Sequence, residues 1–271
     1  MPDLPISPEA IETDIVAPGH VEEYKNGMAF LYRELKNLHV NIYLIEKILQ
    51  FPLKLFTDDI PDRAIFLSYF LDNAIDKCIL IIANLVATRS RNSKDVYSLR
   101  TFQTRVAELV KPEYRQAFAE RIRENELDAQ ASDIYQRIKR LRDKQIVHLT
   151  KDYYDECYDD SIAKTRLYIK EIKALCEKLY AWFHNLSFGC EYVMLYSCYW
   201  DEQPIGRKSD IEEILDGIAR DSYILDMPER DPGRWAYLHP HLSQDDLDHL
   251  NQYRKKFGIP EVLYSPSNRT F

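Results

Sequence analysis

Apolar residues recur along this chain at helical spacing. Val21, Tyr24, Met28, Leu31, Leu35, Leu38, Ile42, Ile45 and Leu49 alternate steps of three and four, which predicts one helix of ~45 Å, at ~1.5 Å per residue, with a single apolar seam. Such a seam needs a partner helix, either a bundle neighbour in the same chain or the same helix of a second copy; the bundle is favoured because single-chain bundles use the same seam. Pro52 ends that helix and Thr57–Pro61 restarts one. Ile65, Phe66, Tyr69, Phe70, Ala74, Ile75, Cys78, Ile79, Ile82, Leu85 and Val86 then cover a wide face, as in the central helix of a bundle. A polar connector over 89–94 follows, then helices over 98–110 and 112–125 and a fifth from Asp128 or Ser132 to His148. The last long helix is expected to open at Asp160 or Ser161, to carry Ile162, Ile169, Ile172, Cys176, Leu179, Phe183 and Leu186, and to end at Gly189 as a left-handed cap. Beyond it, 192–200 is aromatic and irregular, Ser209-Asp210-Ile211-Glu212 has the pattern of a capping box, and a short helix is predicted over 244–257, before Gly258 and Pro260.

The predicted fold class is all-α: an up-and-down helical bundle over 20–188, a flexible leader over 1–19, and a small irregular or helical C-terminal extension over 189–271. Composition agrees. Of 271 residues only 7 are glycine, with none between Gly27 and Gly189, which removes the turns of a hairpin-rich protein and both glycine-rich phosphate motifs. The five cysteines form no C-x-x-C pair, so Cys78 and Cys176 read as small core hydrophobes. The longest apolar run, Cys78–Ala83, is far short of the ~18 residues of a membrane span. The first residues carry neither the basic start nor the apolar stretch of a signal peptide. The expectation is a soluble, cytoplasmic protein with no membrane partner.

Charge is unevenly placed. The chain holds 36 Lys+Arg and 44 Asp+Glu, yet the acidity lies in the flanks: residues 20–188 are net +2, 1–19 net −4 and 189–271 net −6. Within the bundle Arg137, Lys139, Arg140, Arg142 and Lys144 put five cations into eight residues, opposed only by Asp143. Such a run is either a solvated helix face or a site for a polyanion.

Arg142 and His148 stand six apart where the helical pattern runs out. The segment Arg142-Asp143-Lys144 followed by Val147-His148 resembles the R-x(4–6)-H signature of the HEPN superfamily, and its wording is similar to the abortive-infection U-type branch. The resemblance covers about 20–188 and leaves the rest unexplained. It implies a metal-independent endoribonuclease of toxin or abortive-infection type, working as a homodimer on RNA, with an antitoxin protein as a further partner and no cofactor or metal. His148 would be the acid/base and Arg142 the electrostatic stabiliser, with Asp143 and Lys144 in support and Arg137, Lys139 and Arg140 on RNA. Attack by a ribose 2′-OH on the adjacent phosphate needs a proton acceptor near neutral pH and a fixed positive charge where negative charge gathers. Histidine and arginine are suited to those two tasks.

Helix geometry adds a condition. Six residues advance ~9 Å and turn ~600°, leaving Arg142 and His148 ~120° apart on a straight helix. Either the helix end distorts or a second chain completes the groove. Arg33 with His39, and Arg234 with His239 or His241, also fit the spacing, but the first pair lies in the long seam helix and the second in the Pro-rich tail. Thr150 stands where some superfamily toxins carry a modified tyrosine, so that regulation is not carried over. The alternative to an enzyme is a catalytically inactive helical module that binds a nucleotide or an antitoxin. The ligand-type residues His239, His241, Asp245, Asp246, Asp248 and His249 show no metal-binding spacing.

Overall fold

The computed structural model describes residues 12–52, 55, 65–87, 97–125, 127–143, 167–188, 209–221 and 223–263. Among them are eleven α-helices: α1 (Glu12–Ile15), α2 (Val21–Leu49), α3 (Ile65–Val86), α4 (Leu99–Leu109), α5 (Arg115–Arg121), α6 (Ala129–Leu141), α7 (Ile169–Leu186), α8 (Asp210–Asp221), α9 (Met227–Arg230), α10 (Pro232–Leu238) and α11 (Gln244–Lys256). The only extended pairing among the described residues is one isolated antiparallel bridge, Val16 to Val110. The protein is an all-α helical bundle, as its periodicity and glycine scarcity predict.

Local chemistry sets the helix starts. Ser98 and Thr101 cap α4 reciprocally: the Ser98 Oγ accepts the Thr101 N–H at 3.2 Å and the Thr101 Oγ1 accepts the Ser98 N–H at 2.9 Å. The Asp128 carboxylate accepts the Ala131 N–H at 2.8 Å and opens α6. α7 opens later than the expected Asp160 or Ser161. Tyr168 is its extended N-cap, and the Glu171 carboxylate accepts the Tyr168 N–H at 3.0 Å. Asp160, Ser161, Ile162 and Gly189 lie outside the described residues.

The chain divides into two compact units, one of 1–43 with 74–202, the other of 44–73 with 203–271. Residues 44–73 group with the C-terminal stretch, whereas the sequence pattern sets the boundary at 188/189.

In the first unit the α2 seam is the core. Tyr24, Met28, Leu31, Leu35, Leu38 and Ile42 are buried, and the Tyr24 hydroxyl donates to the Leu186 carbonyl at 2.8 Å, tying α2 to the end of α7. The Tyr24 ring stacks on Phe102 and on Phe188, at 6.1 and 5.6 Å between centroids. Cys78–Val86 of α3 is almost wholly buried, apart from Asn84 and Leu80, and Cys78 and Cys176 are buried free thiols. Within the leader expected over 1–19, Ile15 and Val16 are fully buried, and the Lys111 N–H donates to the Ile15 carbonyl at 2.9 Å.

The second unit has its own core of Phe51, Leu55, Leu67, Leu215, Leu225, Met227, Leu247 and Leu250, among others. Arg254, 1% exposed, holds three chain segments together. Its Nε donates to the Pro260 carbonyl at 2.6 Å, its Nη1 to the Leu225 carbonyl, and its Nη2 to Glu229 at 2.5 Å. Residues 209–221 and 223–263 are therefore part of a folded helical unit.

Two apolar positions depart from the predicted faces. Leu49 is 41% exposed and Ile48 is buried in its place, since a true 3.6-residue helix drifts from a 3-4 repeat over several turns. At the start of α3, Ile65, Phe66 and Tyr69 are 65, 62 and 71% exposed, with only Leu67 buried in that turn. The wide apolar face is thus real only in the second half of α3.

Candidate functional site

The cationic segment is the C-terminal half of α6. The α-helical bonding stops at Leu141, and Arg142 and Asp143 lie in a wider, π-type turn. The Arg142 Nε donates to Asp143 Oδ1 at 2.7 Å and its Nη2 lies 2.5 Å from the same oxygen. The acid next in sequence thereby holds the guanidinium, which remains about a quarter exposed. Lys144 and His148 lie outside the described residues.

The other cations of the cluster separate by role. Arg137 grips Glu171 of α7 through two hydrogen bonds, at 3.2 and 2.7 Å, and sits 3.2 Å from Asp133. Its hydrogen bonding and charge hold the Glu171 carboxyl below its usual range. Arg137 thus joins α6 to α7. Arg140 is exposed, and Lys139 is exposed at the rim of a cleft.

That cleft, about 550 Å³, lies in the first unit. Ser132, Tyr135, Gln136 and Lys139 face it from α6, the i, i+3, i+4, i+7 stripe of one helix face. Continuing the stripe leads to Arg142 and Asp143. Burial raises the Tyr135 hydroxyl pKa, while the charges of Arg142 and Arg100 pull it down and that of Asp143 pushes it up, so the arginine pair and the cleft share one electrostatic neighbourhood. Arg100, Gln103, Asn125 and Trp182 supply the opposite wall. The Arg100 guanidinium lies 6.0 Å from the Trp182 ring centroid. Among the described residues none of those lining the cleft is an acid.

Behind the wall runs a chain of amides. The Trp182 Nε1–H donates to Gln103 Oε1 at 2.6 Å, the Asn125 Nδ2 donates to the same oxygen at 2.7 Å, and the Asn185 Nδ2 donates to Asn125 Oδ1 at 2.7 Å. Gln103, Asn125 and Trp182 were not predicted as site residues. An indole on an apolar helix face needs an acceptor, which is a signal in the sequence, but nothing in the spacing says that Gln103 supplies it.

Of the competing Arg–His pairs, Arg33 and His39 are placed apart by their environments. Arg33 is exposed, 3.7 Å from Glu34 and over the Phe30 ring, whereas His39 is 1% exposed and edge-on to Tyr180. Burial, with the Lys173 charge in second place, brings the His39 pKa down to about 4. His239 and His241 pack against the rings of Trp235 and Tyr237, at 5.0 and 5.8 Å, and Asp246 caps α11 by accepting the Ser243 N–H at 2.8 Å. Among the described residues no three His, Cys, Asp or Glu side chains converge as metal ligands would.

No known family, curated protein or solved structure matches the chain. Among the described residues no helix is long and apolar enough to cross a membrane.

Proposed function

We propose that the chain is a metal-independent endoribonuclease of the HEPN toxin or abortive-infection type, cutting RNA by attack of the ribose 2′-OH on the adjacent phosphate. The supporting observation is the Arg142–Asp143 pair. It fixes a partly exposed guanidinium in a loosened turn at the end of the cationic face of α6. A charge held in place before reaction is what a pentavalent phosphorane requires of its stabiliser, and the wider turn at Arg142 and Asp143 departs from a straight helix. His148 is the acid/base in this reading, with Lys144 near it. Lys139 and Arg140 guide the strand, and Arg137 acts by holding α6 on α7. The working form is a cytoplasmic homodimer with the two motifs in one cleft, held in check by an antitoxin.

A second reading, a binding module without chemistry, is favoured by one observation: the cleft wall of Arg100, Gln103, Asn125 and Trp182 is complete without the motif. The two separate in an assay of labelled RNA in EDTA. The wild type is expected to leave 2′,3′-cyclic phosphate ends, His148→Ala to lose on the order of 10²-fold or more in rate, and Arg142→Ala to lose a similar factor. An uncut substrate with the wild type, or equal cutting by His148→Ala, refutes the nuclease.

A further inference from the structure

The amide chain behind the cleft has only one possible direction. An indole N–H donates and never accepts, so Gln103 must turn its oxygen to Trp182. That oxygen also accepts from Asn125, which occupies both of its lone pairs and forces Asn125 to turn its own oxygen to Asn185. The Gln103 Nε2 hydrogens are the free end of this chain: they make no hydrogen bond among the described residues, in a residue that lines the cleft. A flip of the Gln103 amide would set its NH2 against two N–H donors. The cleft therefore presents a donor whose orientation is fixed from behind.

Around that donor the charge has one sign. Arg100 and Lys139 line the cleft, and among the described residues neither makes an ion pair and no acid shares the lining. We propose that this cleft is a phosphate-binding site, in which the Gln103 amide, Arg100 and Lys139 hold the phosphate of a ligand of the nucleotide class. A volume of about 550 Å³ falls within the ~300–1,000 Å³ of small-molecule sites and exceeds what a bare phosphate fills. The remainder of the wall, with the Tyr135 ring and the Ser132 and Gln136 side chains, suits a base and a sugar. The phosphate reaches the cleft either on a free mononucleotide or within a single RNA strand. The site does not depend on Arg142 or His148 acting as a nuclease.

Gln103→Glu is the decisive variant, because a carboxylate oxygen still accepts from Trp182 and Asn125 while the second oxygen replaces the NH2 with a negative charge. Titration calorimetry on the full chain uses uridine 5′-monophosphate, uridine, and a nine-residue oligouridylate with 2′-O-methyl riboses, which cannot be cut by 2′-OH attack. Binding of the monophosphate with no binding of uridine, lost at least about tenfold in Gln103→Glu, supports the site and makes the free nucleotide its ligand. Binding of the oligonucleotide alone, with the same loss, supports the site and makes the strand its source. Arg100→Ala with Lys139→Ala serves as a second test should Gln103→Glu melt early, and is expected to weaken binding and flatten its salt dependence. No binding of either phosphate ligand to the wild type overturns the proposal. So does binding unchanged in Gln103→Glu, or binding unchanged in the double variant. RNA cleavage is read separately through His148→Ala, so a failed nuclease reading and an empty cleft give different results.

Discussion

Gly27 tests packing against propensity with opposite signs. It lies within α2, where glycine is ordinarily a weakness and replacement by alanine stabilises by about 0.5–1 kcal/mol. Here a Cβ would stand 2.2, 2.6 and 2.9 Å from three atoms of the Phe102 ring. Restoring ordinary contact at 3.4 Å from the nearest demands a retreat of 1.2 Å. The ring is 2% exposed, stacked on Tyr24 and tilted on Tyr97 at 5.7 Å, so it has little space to withdraw. Overpacking of this kind costs about 1–3 kcal/mol, which exceeds the helical gain. Gly27→Ala is expected to destabilise the first unit by about 1 kcal/mol net, a fall in urea midpoint of ~0.3–1 M at usual slopes. Trp182 fluorescence in a Trp200→Phe, Trp235→Phe background follows that unit. Phe102→Leu, which shortens the obstructing side chain, is expected to lessen the penalty of Gly27→Ala when the two are combined. A rise in midpoint for Gly27→Ala alone refutes the reasoning.

Other expectations rest on single contacts. Arg137→Ala is expected to cost about 1 kcal/mol, and a double-mutant cycle with Glu171→Gln to show coupling of similar size; RNA affinity that falls as much as in Lys139→Ala would instead make Arg137 a ligand contact. Burial alone would raise Glu212, but the Lys47 ammonium at 2.8 Å and the Ser209 N–H and O–H outweigh it and bring the pKa to about 2. A depressed folded-state pKa stabilises above the unfolded value near 4.5 and is lost as pH falls towards 2. The second unit should therefore weaken through that window, and less so in Glu212→Gln, as thermal melts at pH 6, 4 and 2.5 would record. Arg254→Met should cost about 1–3 kcal/mol, because it leaves the Leu225 and Pro260 carbonyls without their donor around a buried position; a near-native melting temperature would contradict the clamp.

The first unit was largely legible because its order is local. The three-and-four steps from Tyr24 to Ile42 fix a buried face, and Ser98 and Asp128 stand at helix starts. The second unit was not legible: Phe51, Leu55 and Leu67 meet partners such as Leu215 and Leu247 far along the chain, and periodicity says which face is buried without saying against what. The exposed start of α3 has the same cause. At the candidate site Arg142 and Asp143 were visible as a pattern in sequence, whereas the amide chain needed three separate elements to meet. Gln103 and Asn125 are ordinary polar residues until the Trp182 indole is placed beside them.

The two core thiols carry a practical consequence. Burial pushes Cys78 up to about 12 and Cys176 higher still, so at neutral pH neither offers the thiolate that an alkylating reagent attacks. Each becomes reactive only when the helices around it part. Alkylation of these two sites, mapped by peptide mass, is therefore a built-in clock for opening of the first unit, readable in a mixture and without any label introduced into the protein.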